Sequence, residues 1–310
     1  MKIFDMHADI GTDILERLEK GQTHIFKEQH FPKLINGEIG GVFTACFFCG
    51  TEDWSRMQKM VLACNANIDE SPVRKVLNKE DLIDDDKMLT LISCEGLCGI
   101  KDDVSQKIQW LYDHGVRVAS LVWNDSNDLA EGWPNDPLRG LSDKGKEALK
   151  KMDELHMIVD VSHANEKTFW DVVSATDRPV IASHSNARFL CDHQRNLTVQ
   201  QIKAIGAKGG LIGLNAASYF VDEDKDKQDV NHLAKHARYL ADLIGVEHVA
   251  CGFDFMDFLD DYGDDEMAKG LHDASMAQNL IEALKLEGFS EYEISRIAFY
   301  NVFDFLKGQL

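Results

Sequence analysis

Met157-Ile-Val-Asp-Val-Ser-His163 and, one helical stretch later, Pro179-Val-Ile-Ala-Ser-His184 repeat a single design: an apolar run of strand length that ends in Ser-His. Both runs are almost continuously apolar, the pattern of a parallel strand covered on both faces and not of one with a wet side. Further runs of the same kind are Ile3 to Ala8, Gly41 to Cys49, Met88 to Cys94, Val116 to Trp123, Gly210 to Asn215 and His248 to Phe253. Between them lie helical patterns. Ser142 to Leu155 carries Leu149, Met152 and Leu155 at three-residue spacing, and Thr198 to Lys208 opens on a residue suited to an N-cap. A βα unit repeated eight times predicts an α/β fold of the (β/α)8 barrel type, with a doubly wound open sheet as the alternative. No Gly-rich phosphate fingerprint opens a helix, which weakens a nucleotide-binding version of that alternative.

The 310 residues are 44% hydrophobic and 28% charged, a soluble globular composition with enough apolar material for a sizeable core. No linker or shift in composition divides them, so 1–310 reads as a single barrel domain. Asn124 to Arg139 and Asp254 to Asp265 read as long loops over the active face, and Met267 to Leu286 and Glu291 to Leu306 as amphipathic C-terminal helices that pack through Val302, Phe303 and Leu306. The net charge of −20 argues against nucleic acid, whose phosphates need clustered Lys and Arg. Acidic runs such as Asp84-Asp85-Asp86, Asp222-Glu223-Asp224 and Asp260-Asp261 read as solvated faces, since none has calcium-loop spacing. No run approaches the ~20 apolar residues of a membrane span, and the N-terminus enters strand-like sequence without a signal-type apolar region. Seven scattered cysteines fit reduced thiols, so the expected location is cytoplasmic, with no membrane partner.

In a parallel barrel the chemistry gathers at the carboxyl ends of the strands. His7 and Asp9 end the first predicted strand, Glu95 the third, His163 the fifth, His184 the sixth and Asp254 the eighth, while the fourth ends in Trp123-Asn124 and the seventh in Asn215. His7 and Asp9 stand two residues apart, on one face of a strand, where both can reach one ion. Imidazole nitrogens and carboxylate oxygens are zinc ligands, and three His, one Asp and one Glu exceed what one tetrahedral ion uses. They suit two ions about 3.5–4 Å apart that share a carboxylate, the arrangement of two-metal hydrolases. The other nine of the twelve histidines, His193 among them, read as surface or structural groups.

Together Asp5-Met-His7-Ala-Asp9, Glu95-Gly96, Asp160-Val-Ser-His163, Pro179-Val-Ile-Ala-Ser-His184-Ser-Asn-Ala-Arg188, Arg195-Asn196 and Gly252-Phe-Asp254-Phe resemble the membrane (renal) dipeptidase family, peptidase family M19, of the amidohydrolase superfamily. The resemblance implies a (β/α)8 barrel with two Zn2+ ions: His7 and Asp9 on the first, Glu95 bridging both, His163 and His184 on the second. It implies Asp254 as the acid/base residue, Arg195 as the holder of the substrate's terminal carboxylate, and a bridging hydroxide as the attacking group.

The chain departs from the family on the substrate side. Trp123 stands at the end of strand four where the family carries a His, Cys98 where it carries another, Met256-Asp257 where it reads Asp-Gly, and Ala216-Ala217 where it has an aromatic pair. Indole is a donor that cannot take charge, so Trp123 supports an oxyanion differently from imidazole, with Asn124 and Asn215 as further substrate-side polar groups. The expected function is a zinc-dependent dipeptidase acting on small dipeptides, L,D-dipeptides included. The alternatives are a dizinc amidohydrolase for N-acyl amino acids, lactones or esters, and a non-catalytic metal-binding scaffold. A small-molecule dipeptide is the expected partner, and the reading allows a homodimer.

Overall fold

The computed structural model describes residues 1–259 and 266–310. Eight parallel strands form the barrel: Ile3–Ala8, Ile39–Phe47, Leu89–Glu95, Val116–Ser120, Ile158–Asp160, Val180–Ile181, Ile212–Leu214 and Val249–Cys251. Each pairs with its neighbour in chain order, the eighth pairs back to the first through Asp5 and Cys251, and a bridge between Ala182 and Ile212 joins the sixth to the seventh. The two-residue strand Arg74–Lys75 pairs with the third outside this ring. Among the described residues no helix is long and apolar enough to cross a membrane.

The helix predicted over Ser142 to Leu155 runs Asp143–Glu154, with the Ser142 hydroxyl capping the N–H of Gly145. The one predicted over Thr198 to Lys208 runs Val199–Ala207 behind a Thr198–Gln201 capping box. Asn124 to Arg139 forms a loop tied down by Arg139, which binds the Glu131 carboxylate and the carbonyl of Asn127. The other predicted loop is seen as far as Leu259, and its residues 260–265, which include the run Asp260-Asp261, lie outside the described residues.

Two C-terminal helix boundaries differ from those the sequence predicts, and the predicted fourth strand Val116 to Trp123 ends at Ser120. The helix expected from Met267 starts only at Gln278: Met267 instead bridges to Ala217, Gly270 takes φ +90°, and Asp273 caps a separate short turn at Ala274–Met276. The last stretch is helical from Glu291 to Gln309, but a π-turn over Arg296–Tyr300 divides it. Phe299, Val302, Phe303 and Leu306 from this stretch pack against Phe4, Leu89, Leu211 and Ala250, which lie at the amino ends of strands. The C-terminal helix therefore plugs the end of the barrel opposite the polar residues.

The other difference decides where the polar residues sit. The fifth to eighth strands are two or three residues long, and the chain leaves the ladder before His163, His184, Asn215 and Asp254. These groups project from turns that fold over the barrel mouth. The sixth-strand turn fits because Gly213 and Gly252 face it; a Cβ on either would lie 1.9 or 1.7 Å from the carbonyl oxygen of Ser183. On the first strand, Asp5 pairs with Val42 and Ala8 with Thr44, three residues against two. This bulge places Met6 in the apolar plug cluster while the next residue, His7, faces the polar mouth.

Leu306 is fully buried in the plug, at the far end from the polar cluster. Leu306→Ala is expected to destabilise the fold by about 2–5 kcal/mol in urea denaturation.

Candidate metal centre

Five side chains converge at the mouth of the barrel. Glu95, the last residue of its strand, places Oε1 2.6 Å from Nε2 of His163 and 3.3 Å from Nε2 of His184, and Oε2 3.5 Å from Nε2 of His7. His7 Nε2 lies 3.4 Å from Oδ1 of Asp9, and the Nε2 atoms of His163 and His184 are 2.8 Å apart. His7, Asp9 and Glu95 form one potential ligand group and Glu95, His163 and His184 another, with Glu95 common to both.

The imidazoles are set by what holds their other nitrogen. Asp160 accepts the backbone N–H of Ser162 (3.0 Å) and of Ser183 (3.1 Å) on Oδ1, and the Ser183 hydroxyl on Oδ2. With its proton committed to Asp160, the Ser183 oxygen accepts Nδ1–H of His184 at 2.7 Å. Asn124 Oδ1 likewise accepts Nδ1–H of His163 at 2.8 Å. In both rings the Nε2 lone pair is left facing the cluster, the tautomer a ligand requires. Asn124 thus orients His163 as well as lining the cavity, and Asn215, fully buried, sends its amide to Asp254 Oδ2 (3.1 Å) and to the carbonyl of His184.

The electrostatics of the cluster call for positive charge. Burial opposes ionisation of Glu95, but His7 and His163 hold it well below its usual range; burial likewise opposes charge on His7, and Glu95 and Asp9 outweigh it. Burial and the guanidinium of Arg195 push His163 down to about 4, and burial and His7 push His184 well down, so both stay neutral with lone pairs available. Burial raises the Asp254 carboxyl to about 7; His7 opposes this, and the nearby Asp9 and Glu95 add to it. His7 Nε2 and Asp9 Oδ1 are buried without hydrogen-bond partners. A shared carboxylate, three imidazoles and an orphaned nitrogen and oxygen are a donor set suited to divalent metal.

The cluster opens into a cavity of about 270 Å3. Arg195 lies over His163, its Nη2 3.0 Å from His163 Nε2 and its Nη1 on the carbonyl of Ser162. Asp254, in the left-handed region at φ +60°, brings Oδ1 to 3.8 Å from His7 Nε2. Such a conformation costs a non-glycine residue of order 1–3 kcal/mol and here aims a carboxyl at the cluster. Trp123 walls the cavity, edge-on to Phe47 at 5.0 Å and 6.0 Å from the His163 ring. Asp160 and Ser183 carry functional contacts that the sequence does not single out, although they lie at or beside the Ser-His ends, and Phe47, Trp133, Tyr219 and Phe220 line the cavity from unremarkable sequence.

A parallel (β/α)8 barrel with histidines and carboxylates clustered at the carboxyl ends of its strands is the architecture of a metallohydrolase. The chain belongs to the membrane dipeptidase family, peptidase family M19, whose model matches residues 1–308. An uncharacterized protein encoded 5′ of pqqA in Klebsiella pneumoniae is 33% identical over 233 residues, 72% of this chain and 83% of that protein. Dipeptidase aclJ of Aspergillus oryzae is 31% identical over 219 residues, 70% of this chain. The match spans about half the length of that fungal dipeptidase. A metallopeptidase from Rhodobacter sphaeroides, solved with a phosphinate mimic of L-Ala-D-Ala, shares the fold with a TM-score of 0.87 at 21% identity, over 100% of this chain and 99% of its own.

Ser183→Ala cuts the link between Asp160 and His184 while removing one small buried hydroxyl. Metal affinity, measured by competition with a chromogenic chelator, is expected to fall roughly 10- to 100-fold with the circular dichroism spectrum unchanged; an unaltered affinity would show that Asp160 does not act on the site through Ser183.

Proposed function

We infer that this chain is a metal-dependent dipeptidase that hydrolyses the amide bond of small dipeptides, L,D-dipeptides included, with two Zn2+ ions as its cofactor. The observation that carries this reading is the joint presence in one cavity of the ligand cluster, a guanidinium and a carboxyl with a raised pKa. The family's name and the dipeptidases among its relatives support the same substrate class. His7 and Asp9 would hold one ion, His163 and His184 the other, and Glu95 would bridge them. Bound there, divalent cations lower the pKa of water and polarise a carbonyl oxygen.

The chain's own groups supply the rest. Arg195 meets the terminal carboxylate of the dipeptide, which fixes the scissile amide relative to the cluster. Asp254 carries the proton. Its Oδ2 is held by Asn215, so Oδ1, the oxygen facing His7, is the atom that accepts a proton from the attacking water. The same oxygen returns that proton to the leaving amine, which must be protonated to depart. Phe47 and Trp123 give the cavity an apolar side that excludes water and favours an uncharged side chain. We read residues 1–310 as one barrel domain and, from the seven dispersed cysteines, place it in the cytoplasm.

The test is an assay of the zinc-loaded protein against L,L- and L,D-dipeptides beside N-acyl amino acids and esters, with metal content measured in parallel. Dipeptide turnover with two zinc ions per chain is expected; no turnover at full loading, or preference for the other compounds by orders of magnitude, overturns the reading. Asp254→Asn is expected to lose about 10²–10⁴-fold in kcat while retaining both ions, because Asp254 stands beside the ligand set. Loss of metal with activity would instead make Asp254 a ligand.

A further inference from the structure

One histidine in the cavity belongs to neither the ligand cluster nor the proton carrier. His193 is half-buried, with its ring centroid 5.2 Å from that of Trp133 and 4.7 Å from that of Phe220. Its Nδ1 accepts the backbone N–H of Arg195 at 3.1 Å. An imidazole that accepts on Nδ1 carries its proton on Nε2, and is then a donor there. Burial, with Arg195 and Arg188 nearby, lowers the pKa of His193 and keeps the ring in this neutral form. Its Nε2 makes no hydrogen bond to any described residue, and the side chain lines the cavity.

The neighbouring guanidinium has less to offer a ligand than its formula suggests. Arg195 places Nη1 on the carbonyl of Ser162 and Nη2 3.0 Å from His163 Nε2, so both tips of the fork that suits a carboxylate already have one partner and fewer N–H groups remain for a ligand. The missing donor stands beside it. His193 and Arg195 belong to one tight turn, closed by the bond from Asn196 N–H to the His193 carbonyl (2.9 Å), and both lean on the ring of Phe220, with Arg195 Cζ 5.5 Å from its centroid. The aromatic packing fixes the imidazole at little further entropic cost.

We propose that His193 is a second carboxylate-binding residue: its Nε2–H donates to one oxygen of the substrate's terminal carboxylate while Arg195 engages the other. The proposal rests on the dipeptidase reading and assigns half of its carboxylate site. The turn carrying both donors then selects substrates that end in a free carboxylate over the corresponding amides.

Two substitutions separate this role from a structural one. His193→Asn places an amide oxygen near Nδ1, so it keeps the acceptor for Arg195 N–H and loses the donor; His193→Gln places an amide nitrogen near Nε2, so it keeps the donor. Both are assayed with zinc content checked, on a dipeptide and on its C-terminal amide. His193→Asn is expected to lower kcat/KM for the dipeptide roughly 10- to 100-fold, mainly through KM, which is the worth of one hydrogen bond to a charged group. It is expected to leave the amide nearly unaffected, and His193→Gln is expected to recover most of the loss. If His193→Asn equals wild type on the dipeptide, or if both variants lose dipeptide and amide turnover alike, the proposal is overturned and the ring only shapes the turn. Wild-type protein that cleaves neither compound overturns the dipeptidase reading beneath it, an outcome distinct from either.

Discussion

Glu95 is 5% exposed, and a carboxylate so deep in a protein costs several kcal/mol unless its charge is answered. Its answer comes from both sides of the barrel: His163 and His184 reach one oxygen, His7 the other. Everything else at the barrel mouth follows from this demand. Asp9 and Asp254 crowd the same space with further negative charge, so the protein's own groups leave the cluster short of positive charge. Divalent cations meet that shortage, and the fold accepts buried repulsion in exchange for a place to hold them.

The support beneath the cluster uses one device twice. Asp5 lies two residues before His7, and its Oδ1 accepts the N–H of His7 (3.2 Å) and of Phe253 (2.9 Å), joining the first strand to the segment that leads into Asp254. Asp160, three residues before His163, accepts the N–H groups of Ser162 and Ser183 and joins the fifth strand to the sixth. Asp160 takes over where ladder pairing stops, satisfying N–H groups that the turn toward the mouth has freed, and Asp5 satisfies the N–H of Phe253 beyond the eighth strand and that of His7 within the first-strand bulge. Candidate ligands on turns are thereby held almost as firmly as those on strands. Burial raises the Asp5 carboxyl to about 7, and its Oδ2 has no partner, so this anchor is kept at some cost in stability.

Much of this was legible in the sequence because parallel strands are apolar throughout, and a His, Asp or Glu at the end of an apolar run has few structural reasons to be there. The barrel, the five candidate ligands and Asp254 are visible on that ground. Strand length was not, because the runs Met157 to Val161 and Val180 to Ala182 stay almost wholly apolar up to their Ser-His ends with no break where the ladder stops; what ends the pairing is Asp160 capturing the next N–H groups, a contact made in space. The bulge at Met6-His7 leaves no mark either, since both faces of that strand are buried. Asn124 and Asn215 look like substrate contacts from their place at strand ends, and only the structure shows that one orients His163 and the other Asp254. Met267 to Ala277 has helical composition, but Gly270 and the bridge to Ala217 withdraw it from the helix.

The same reasoning explains why the polar machinery and the cavity walls differ so much in legibility. A ligand must be one of a few residue types, at a strand end, with its other nitrogen or oxygen engaged, and each requirement narrows the search. A wall only has to be apolar and of the right size, and Phe47, Trp133 and Phe220 meet that condition with no local pattern to betray them. Trp123 shows the consequence. Its aromatic neighbour Phe47 comes from the second strand, far away in the chain, and together they line one side of the space beside Asp9 and Glu95. An apolar wall there lowers the local dielectric and strengthens every charged contact the substrate makes. The chain thus places strong, few-choice chemistry on strand ends and tunes it with groups drawn from wherever the fold brings apolar surface to the mouth.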